Sequence, residues 1–269
     1  MAGSLASATR ITILMLKYTL ISLEAKSIAS SGTSGAENST GKHGIATIAF
    51  MIATMDRKEL QKSILINSFT AGACHLGSAF SCVDILIEFF DNILKDEDVF
   101  IFSKASGVSA LYCVLADKGY FSKEKIAEYL KNYPLPSVEV PGVIHSLGSL
   151  GHGLPLAVGT ALADRNRNVY ILMSDGECQE GTTYESALFA RQHNLKNLFV
   201  IIDANQYQAL GKTNDILNLD TAFEFLKNTL PNCEIRKTIK GGNIDFLQGT
   251  KGHYKNLTQE LLEQALCQI

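Results

Sequence analysis

The 269-residue chain sets 24 Lys and Arg against 27 Asp and Glu, a formal net charge of −3, so it lacks the basic surplus with which nucleic-acid binders neutralise phosphates. With 46% hydrophobic residues, 21 Gly and 5 Pro it is composed as a globular domain, which excludes collagen-like, mucin-like and wholly disordered chains. Cys74, Cys82, Cys113, Cys178, Cys233 and Cys267 form no C-x-x-C pair and read as reduced thiols of a cytoplasmic protein.

Residues 1–54 differ from the remainder. Ser, Ala, Thr and Gly dominate, and Arg10, Lys17, Lys26 and Lys42 face only Glu24 and Glu37. The apolar run from Ile11 to Leu23 is interrupted by Lys17 and Tyr18 and falls short of the ~20 residues a bilayer span needs, so no membrane anchor is expected. The segment is expected to be a low-complexity leader: disordered, targeting, or lying ahead of a true start at Met55. Its GAENSTGKH stretch imitates a phosphate loop, but it has five residues between the glycines and His43 where a Mg-binding hydroxyl belongs, so it is rejected as a nucleotide site.

The folded domain is expected over 55–269. Leu60, Ile64, Leu65 and Phe69 recur at helical spacing, and Val83 to Leu94 gives a second helix beyond a loop at His75-Leu76-Gly77-Ser78. Phe100-Ile101-Phe102 is a short strand. Val108 to Lys118 is a helix ending at Gly119, and Lys123 to Asn132 is another, capped by Ser122 and stopped ahead of Pro134 and Pro136. After a glycine-rich loop, Gly153 to Ala163 is a small-residue helix. Val169 to Met173 and Leu198 to Ile202 are apolar throughout, as buried parallel strands are, with helical Glu180 to His193 between them. This order predicts a right-handed βαβ unit in an α/β fold, a mostly parallel sheet with helices on both faces. A helix near Thr221 to Asn228, a strand near Glu234 to Ile239 and a helix from Thr258 follow.

In open α/β sheets, ligands bind beyond the carboxyl ends of the strands. The first strand of the unit runs out into Ser174-Asp175-Gly176-Glu177-Cys178-Gln179-Glu180, and the second into Asp203-Ala204-Asn205-Gln206-Tyr207. Asp175 supplies a carboxylate, Asn205 an amide oxygen, and a backbone carbonyl just beyond adds a third. Such a hard donor set suits Mg²⁺ shared with phosphate oxygens, and Gly176 lets backbone approach a phosphate closely. The helix starting near Glu180 is expected to aim free N–H groups the same way.

SDGECQEG followed by IIDANQ resembles the thiamine-diphosphate fingerprint of transketolases, G-D-G and then about thirty residues to an Asn. AGACHLGSAFSCVDIL, FSKASGVSALYCVLADKGYF and PGVIHSLGSLGHGLPLAVGTALA are similar to three further motifs of that family in family order, and GHYKNLTQELLEQAL is similar to the tail of its stand-alone amino-terminal subunits. The resemblance implies that Asp175, Asn205 and the Tyr207 carbonyl hold Mg²⁺, with Ca²⁺ or Mn²⁺ as substitutes, and that Gly176 lies beside the diphosphate. Gly148, Leu150 and His253 would contact the cofactor. As catalytic groups it implies His75, facing the donor sugar, and Glu180, in carboxylate contacts across a subunit interface.

Some family positions depart. Ser106 replaces a histidine in Ser103-Lys104-Ala105-Ser106-Gly107, a G-H-P segment is missing near Tyr133-Pro134-Leu135-Pro136, and the region between Gly211 and Glu234 is short, which implies a smaller sheet with an edge to cover. His145 and His152 stand where the family has other residues. The family's pyrimidine-binding domain has no room in 269 residues. The chain is therefore expected to pair with a separate C-terminal transketolase subunit, in a dimer or heterotetramer, and to transfer a two-carbon ketol unit from a ketose to an aldose. Two alternatives remain at this point: a subunit of another thiamine-diphosphate carboligase, decarboxylase or synthase, or a catalytically silent structural or regulatory subunit.

Overall fold

The computed structural model describes residues 54–250 and 252–269. The leader expectation, its rejected phosphate loop and the start at Met55 concern residues that lie, apart from Thr54 and Met55, outside this range.

Helix α1 (Arg57–Ala71) starts where Asp56 accepts hydrogen bonds from the Lys58 and Glu59 N–H groups, and ends at Gly72, whose φ of 65° makes a left-handed cap. Ile64 and Leu65 are wholly buried on its inner face, worth roughly 1.5–3 kcal/mol each. Next come α2 (Leu76–Ser81) and α3 (Val83–Glu88), the latter running into a π-helical turn at Phe89–Ile93. Strand β1 (Val99–Phe102) leads through a 3₁₀ turn at Ala105–Gly107 to α4 (Val108–Asp117) and α5 (Ile126–Asn132). Then follow α6 (Gly153–Ala163), β2 (Val169–Ser174), α7 (Gly181–Gln192), β3 (Leu198–Ala204), the short α8 (Thr213–Ile216), α9 (Asp220–Thr229), β4 (Cys233–Lys237) and α10 (Gln259–Cys267).

The four strands lie in the order β1-β2-β3-β4, each parallel to the next. Side chains alternate along each strand, so the sheet is packed on both faces. Phe102, Leu172 and Ile201 join one core with α1 to α5 and α10; Ile101, Ile171, Met173, Val200 and Ile202 join a second with α6, α7 and α9. This is the α/β sheet with helices on both faces that the apolar strand pattern predicts.

Three expectations need correction. His75-Leu76-Gly77-Ser78 is not a loop: Leu76 is fully buried and begins α2, because only His75, at φ 65°, turns the chain before it enters the core. The single helix expected over Val83–Leu94 is interrupted at Glu88 by the π turn. Ser122 stands at a helix start but its side chain makes no capping hydrogen bond, and the first turn there is 3₁₀.

Candidate functional site

All four strands open onto one edge, and each exit delivers polar side chains. β1 ends at Ser103-Lys104, β2 at Asp175, β3 at Asp203 to Tyr207, and β4 at Thr238 to Lys240. The exits of β2 and β3 meet directly. Asp175 accepts from the Gly176 N–H at 2.9 Å through Oδ1 and from the Gln206 N–H at 2.6 Å through Oδ2, which sets its carboxylate against the turn between Asn205 and Tyr207. Asn205 is buried; its Oδ1 accepts from the Tyr207 N–H at 3.0 Å, and its Nδ2 lies 3.3 Å from Ser81 Oγ. Tyr207 and Lys212 form a one-bridge antiparallel hairpin whose hydrogen bonds run from Gln208 N–H to the Gly211 carbonyl and from Thr213 N–H to the Gln206 carbonyl. The Tyr207 carbonyl therefore belongs to the non-hydrogen-bonded pair and points away from the hairpin.

Beneath these oxygens runs a buried network. Lys104 Nζ lies 3.3 Å from Asp203 Oδ2 and donates to Ser78 Oγ at 3.1 Å; both ends of the ion pair are almost fully excluded from solvent. Asp203 also accepts from Ser81 Oγ at 2.7 Å and from Thr238 Oγ1. Burial disfavours the Lys104 ammonium, but the carboxylates of Asp203 and Asp175 outweigh it and hold its pKa above the ordinary lysine value. At Asp175 burial prevails instead. Burial pushes its carboxyl up to about 6, although Lys104 and the two N–H bonds oppose the shift.

A second cluster gathers from sequence-distant positions. The rings of His75 and His253 are 4.7 Å apart, and Tyr254 stands edge-on to both, at 5.2 and 4.6 Å. The His75 N–H donates to the His253 carbonyl at 2.9 Å. Lys240, buried, donates to the Gln208 carbonyl at 3.2 Å and lies 3.1 Å from His253 Nδ1. Burial and the Lys104 charge lower the Lys240 pKa to about 8, and burial together with Lys240 takes the His253 imidazole down to about 3. A neutral His253 facing an ammonium must accept at Nδ1, so its proton sits on Nε2. His75 is lowered as well, by burial first and then by Lys240. The Cys74 thiol, itself raised by burial, lies 3.3 Å from His75 Nδ1.

A family described as transketolase, thiamine diphosphate binding domain, matches residues 69–231. An apulose-4-phosphate transketolase subunit of Actinobacillus succinogenes is 31% identical over 252 residues, covering 77% of this chain and 91% of that protein. The chain belongs to the transketolase family. The same-named protein of Phocaeicola vulgatus is 31% identical over 248 residues, 75% of this chain and 88% of its own. The transketolase structure from Leishmania mexicana superposes with a TM-score of 0.66 at 18% identity; the match covers 79% of this chain and 41% of that longer one, and bears on the fold alone. Together these make the chain a transketolase-like enzyme subunit with a thiamine-diphosphate-binding domain.

Within this transketolase-family domain, Asp175, Gly176, Asn205 and Tyr207 come together, as do His75 and His253. Gly148 and Leu150 lie exposed on the loop ahead of α6. That loop is tied in through Gly151, whose N–H bonds the Glu177 carboxylate and whose φ of 76° and contact with Glu180 leave no room for a Cβ. Glu180, half-buried, is the N-cap residue of α7 but forms no capping bond, and the first turn after β2 is a separate 3₁₀ turn at Asp175–Gln179. The N–H groups nearest Gly176 therefore belong to that turn, which a capping box of Ser174 and Glu177 starts, rather than to the helix expected from Glu180. His152 is exposed with Nδ1 3.0 Å from the Leu150 carbonyl, and His145 is half-buried.

Sequence reasoning missed Lys104, Asp203, Glu177 and Lys240. Glu177 is wholly buried, accepting from Ser103 Oγ and, at 2.8 Å, from the Ser174 N–H, and so ties the β1 exit to the β2 exit. Its carboxyl is raised by burial, against the pull of Ser103 and Ser174. A lysine directly after an apolar strand was the available signal for Lys104; nothing local marked Lys240.

The residues fit a metal-bound diphosphate on three observations. The oxygens of Asp175, Asn205 and Tyr207 are the hard, neutral-plus-anionic set that Mg²⁺ takes with phosphate and water completing it. A Cβ on Gly176 would meet only Gln208 Cβ, at 3.4 Å, so the space beside its backbone is open to a ligand. Lys240 is a buried ammonium with no carboxylate at ion-pair distance among the described residues, a charge an anion would compensate.

Proposed function

We propose that the chain is the diphosphate-binding subunit of a split transketolase, which uses thiamine diphosphate and Mg²⁺ to transfer a two-carbon ketol unit from a ketose to an aldose. The observation that carries this reading is the meeting of the β2 and β3 exits, where the Asp175 carboxylate is bonded to the turn between Asn205 and Tyr207. When bound, the cofactor supplies the carbanion chemistry for breaking and forming the carbon–carbon bond. Asp175, Asn205 and the Tyr207 carbonyl would hold Mg²⁺, and Lys240 and His253 would contact the cofactor. His75 would hydrogen-bond donor-sugar hydroxyls and relay protons. Glu180 would meet carboxylates across the subunit interface, and Gly148 and Leu150 would line the cofactor pocket.

The pairing with a separate C-terminal subunit, in a dimer or heterotetramer, is supported by the two relatives named as subunits of a transketolase, of which this chain matches 91% and 88%. Those names also make an apulose-type ketose phosphate the first donor to try. Among the described residues no helix is long and apolar enough to cross a membrane, and we place the enzyme in the cytoplasm on its free thiols. The test is product analysis by mass spectrometry on the full chain mixed with a candidate C-terminal subunit, thiamine diphosphate, Mg²⁺, a ketose donor and an aldose acceptor. The expected product is the acceptor lengthened by two carbons. Decarboxylation of 2-oxoacids without ketol transfer would assign other thiamine chemistry, and cofactor binding without turnover would assign a silent subunit.

A further inference from the structure

An amide has two arms of nearly the same shape, and only its oxygen can ligate a cation. Asn205 is 3% exposed, so solvent does not choose which arm faces which way. The hydrogen-bond polarity around it does. Its Nδ2 arm lies 3.3 Å from Ser81 Oγ. The single proton of the Ser81 hydroxyl has two acceptors in reach, Asp203 Oδ2 at 2.7 Å and the Ser78 carbonyl at 3.0 Å. Neither donates: one is a backbone carbonyl, and the other is a carboxylate already facing donors on Lys104 and Thr238. Whichever takes the proton, Ser81 Oγ turns only lone pairs toward Asn205, and only the NH₂ arm can answer them. On the far side the Tyr207 N–H, 3.0 Å from Oδ1, occupies one lone pair of that oxygen and leaves the other unpaired.

We propose that Ser81, oriented by the buried Lys104–Asp203 pair, is a positioning residue that turns the Asn205 oxygen toward the cation site. Ser81 itself touches neither cation nor cofactor. The inference rests on the reading of Asn205 as a metal ligand. It links α2 and the β1 exit to a ligand on the β3 exit, so the network under the site selects the chemistry of its floor.

A carboxylate carries oxygen on both arms and needs no such orientation, which gives the test. Binding of Mn²⁺ would be followed by the electron paramagnetic resonance signal of the free ion. The full chain would be used together with thiamine diphosphate and its partner subunit. The variants are Ser81→Ala, Asn205→Asp, the two combined, and Asn205→Ala. Loss of one hydrogen bond predicts that Ser81→Ala weakens Mn²⁺ binding about fivefold. In the Asn205→Asp background the same substitution is expected to change nothing further. Ser81→Cys, nearly isosteric but a weak hydrogen-bonding group, repeats the measurement without opening a void. Equal weakening in both backgrounds would reduce Ser81 to a structural residue, and no weakening in either would remove its role altogether. Unchanged affinity in Asn205→Ala would instead overturn the ligand assignment on which the inference stands.

Discussion

The two halves of the candidate site are built in different ways. The half at the β2 and β3 exits takes Asp175, Gly176, Asn205 and Tyr207 from two short stretches and clamps them from below with buried charge, Lys104 against Asp203 and Glu177 against Ser103. The half beneath β4 gathers His75, Lys240, His253 and Tyr254 from far-separated segments and holds them by ring contacts and by bonds to backbone carbonyls, with Tyr254 exposed at its rim. One is a rigid socket of hydrogen bonds with little freedom to change. The other is a set of rings around a single ammonium that burial lowers to about 8.

The largest way to break the contrast is at Asp175. Asp175→Ala is expected to lower Mg-dependent thiamine-diphosphate affinity by on the order of a hundredfold or more, as loss of a charged ligand does. The melting temperature should stay within a few degrees, because burial already disfavours this carboxylate. Calorimetry and circular dichroism on the same sample decide it; intact affinity would take Asp175 out of the site. Next in size is the tight seat of α6. A Cβ at Gly153 would stand 2.0 Å from Ser103 Oγ, so Gly153→Ala must push α6 off the β1 exit, at a cost of about 1–3 kcal/mol by denaturant titration. An unchanged midpoint would mean that the socket is softer than its contacts imply.

The second half is expected to answer to pH. Burial lowers the Lys240 pKa from 10.5 to about 8, so the charged lysine destabilises the fold at low pH. The unfolded chain binds the extra proton between those values, hence stability of the cofactor-free protein rises with pH across that window, by roughly 1–2 kcal/mol after solvent screening. Lys240→Met should abolish the rise, raise stability at neutral pH and weaken cofactor binding. A parallel slope in the variant would assign the effect elsewhere. The smallest effect concerns thiols. Burial pushes Cys82 and Cys113 up to about 12 and Cys178 well above its usual value, whereas Cys267 is exposed. Native-state labelling with a thiol reagent is expected to modify Cys267 first, Cys74 more slowly, and the three buried thiols only on unfolding.

Much of the socket was legible because its chemistry is local. Apolar strands that pack into two cores, and Asp175 and Asn205 directly past their ends, follow from neighbours in the chain. The errors occur where tertiary context overrides local pattern. His75 through Ser78 has loop composition, yet Leu76 is drawn into the core and α2 forms around it. Lys240 has no local signature at all, since its partners, Gln208 and His253, come from other loops. Ser106 carries its own lesson. Its hydroxyl pairs with Ser78 Oγ at 2.7 Å and so joins the Lys104 network, a contact that no neighbour in the chain announces.

Titration calorimetry of thiamine diphosphate into the full chain mixed with a candidate C-terminal subunit, with and without Mg²⁺, tests the central claim most directly. The arrangement of Asp175, Asn205 and Tyr207 predicts binding that requires Mg²⁺ and disappears in Asp175→Ala. Binding of equal strength in the absence of any divalent cation, or none in its presence, would contradict it.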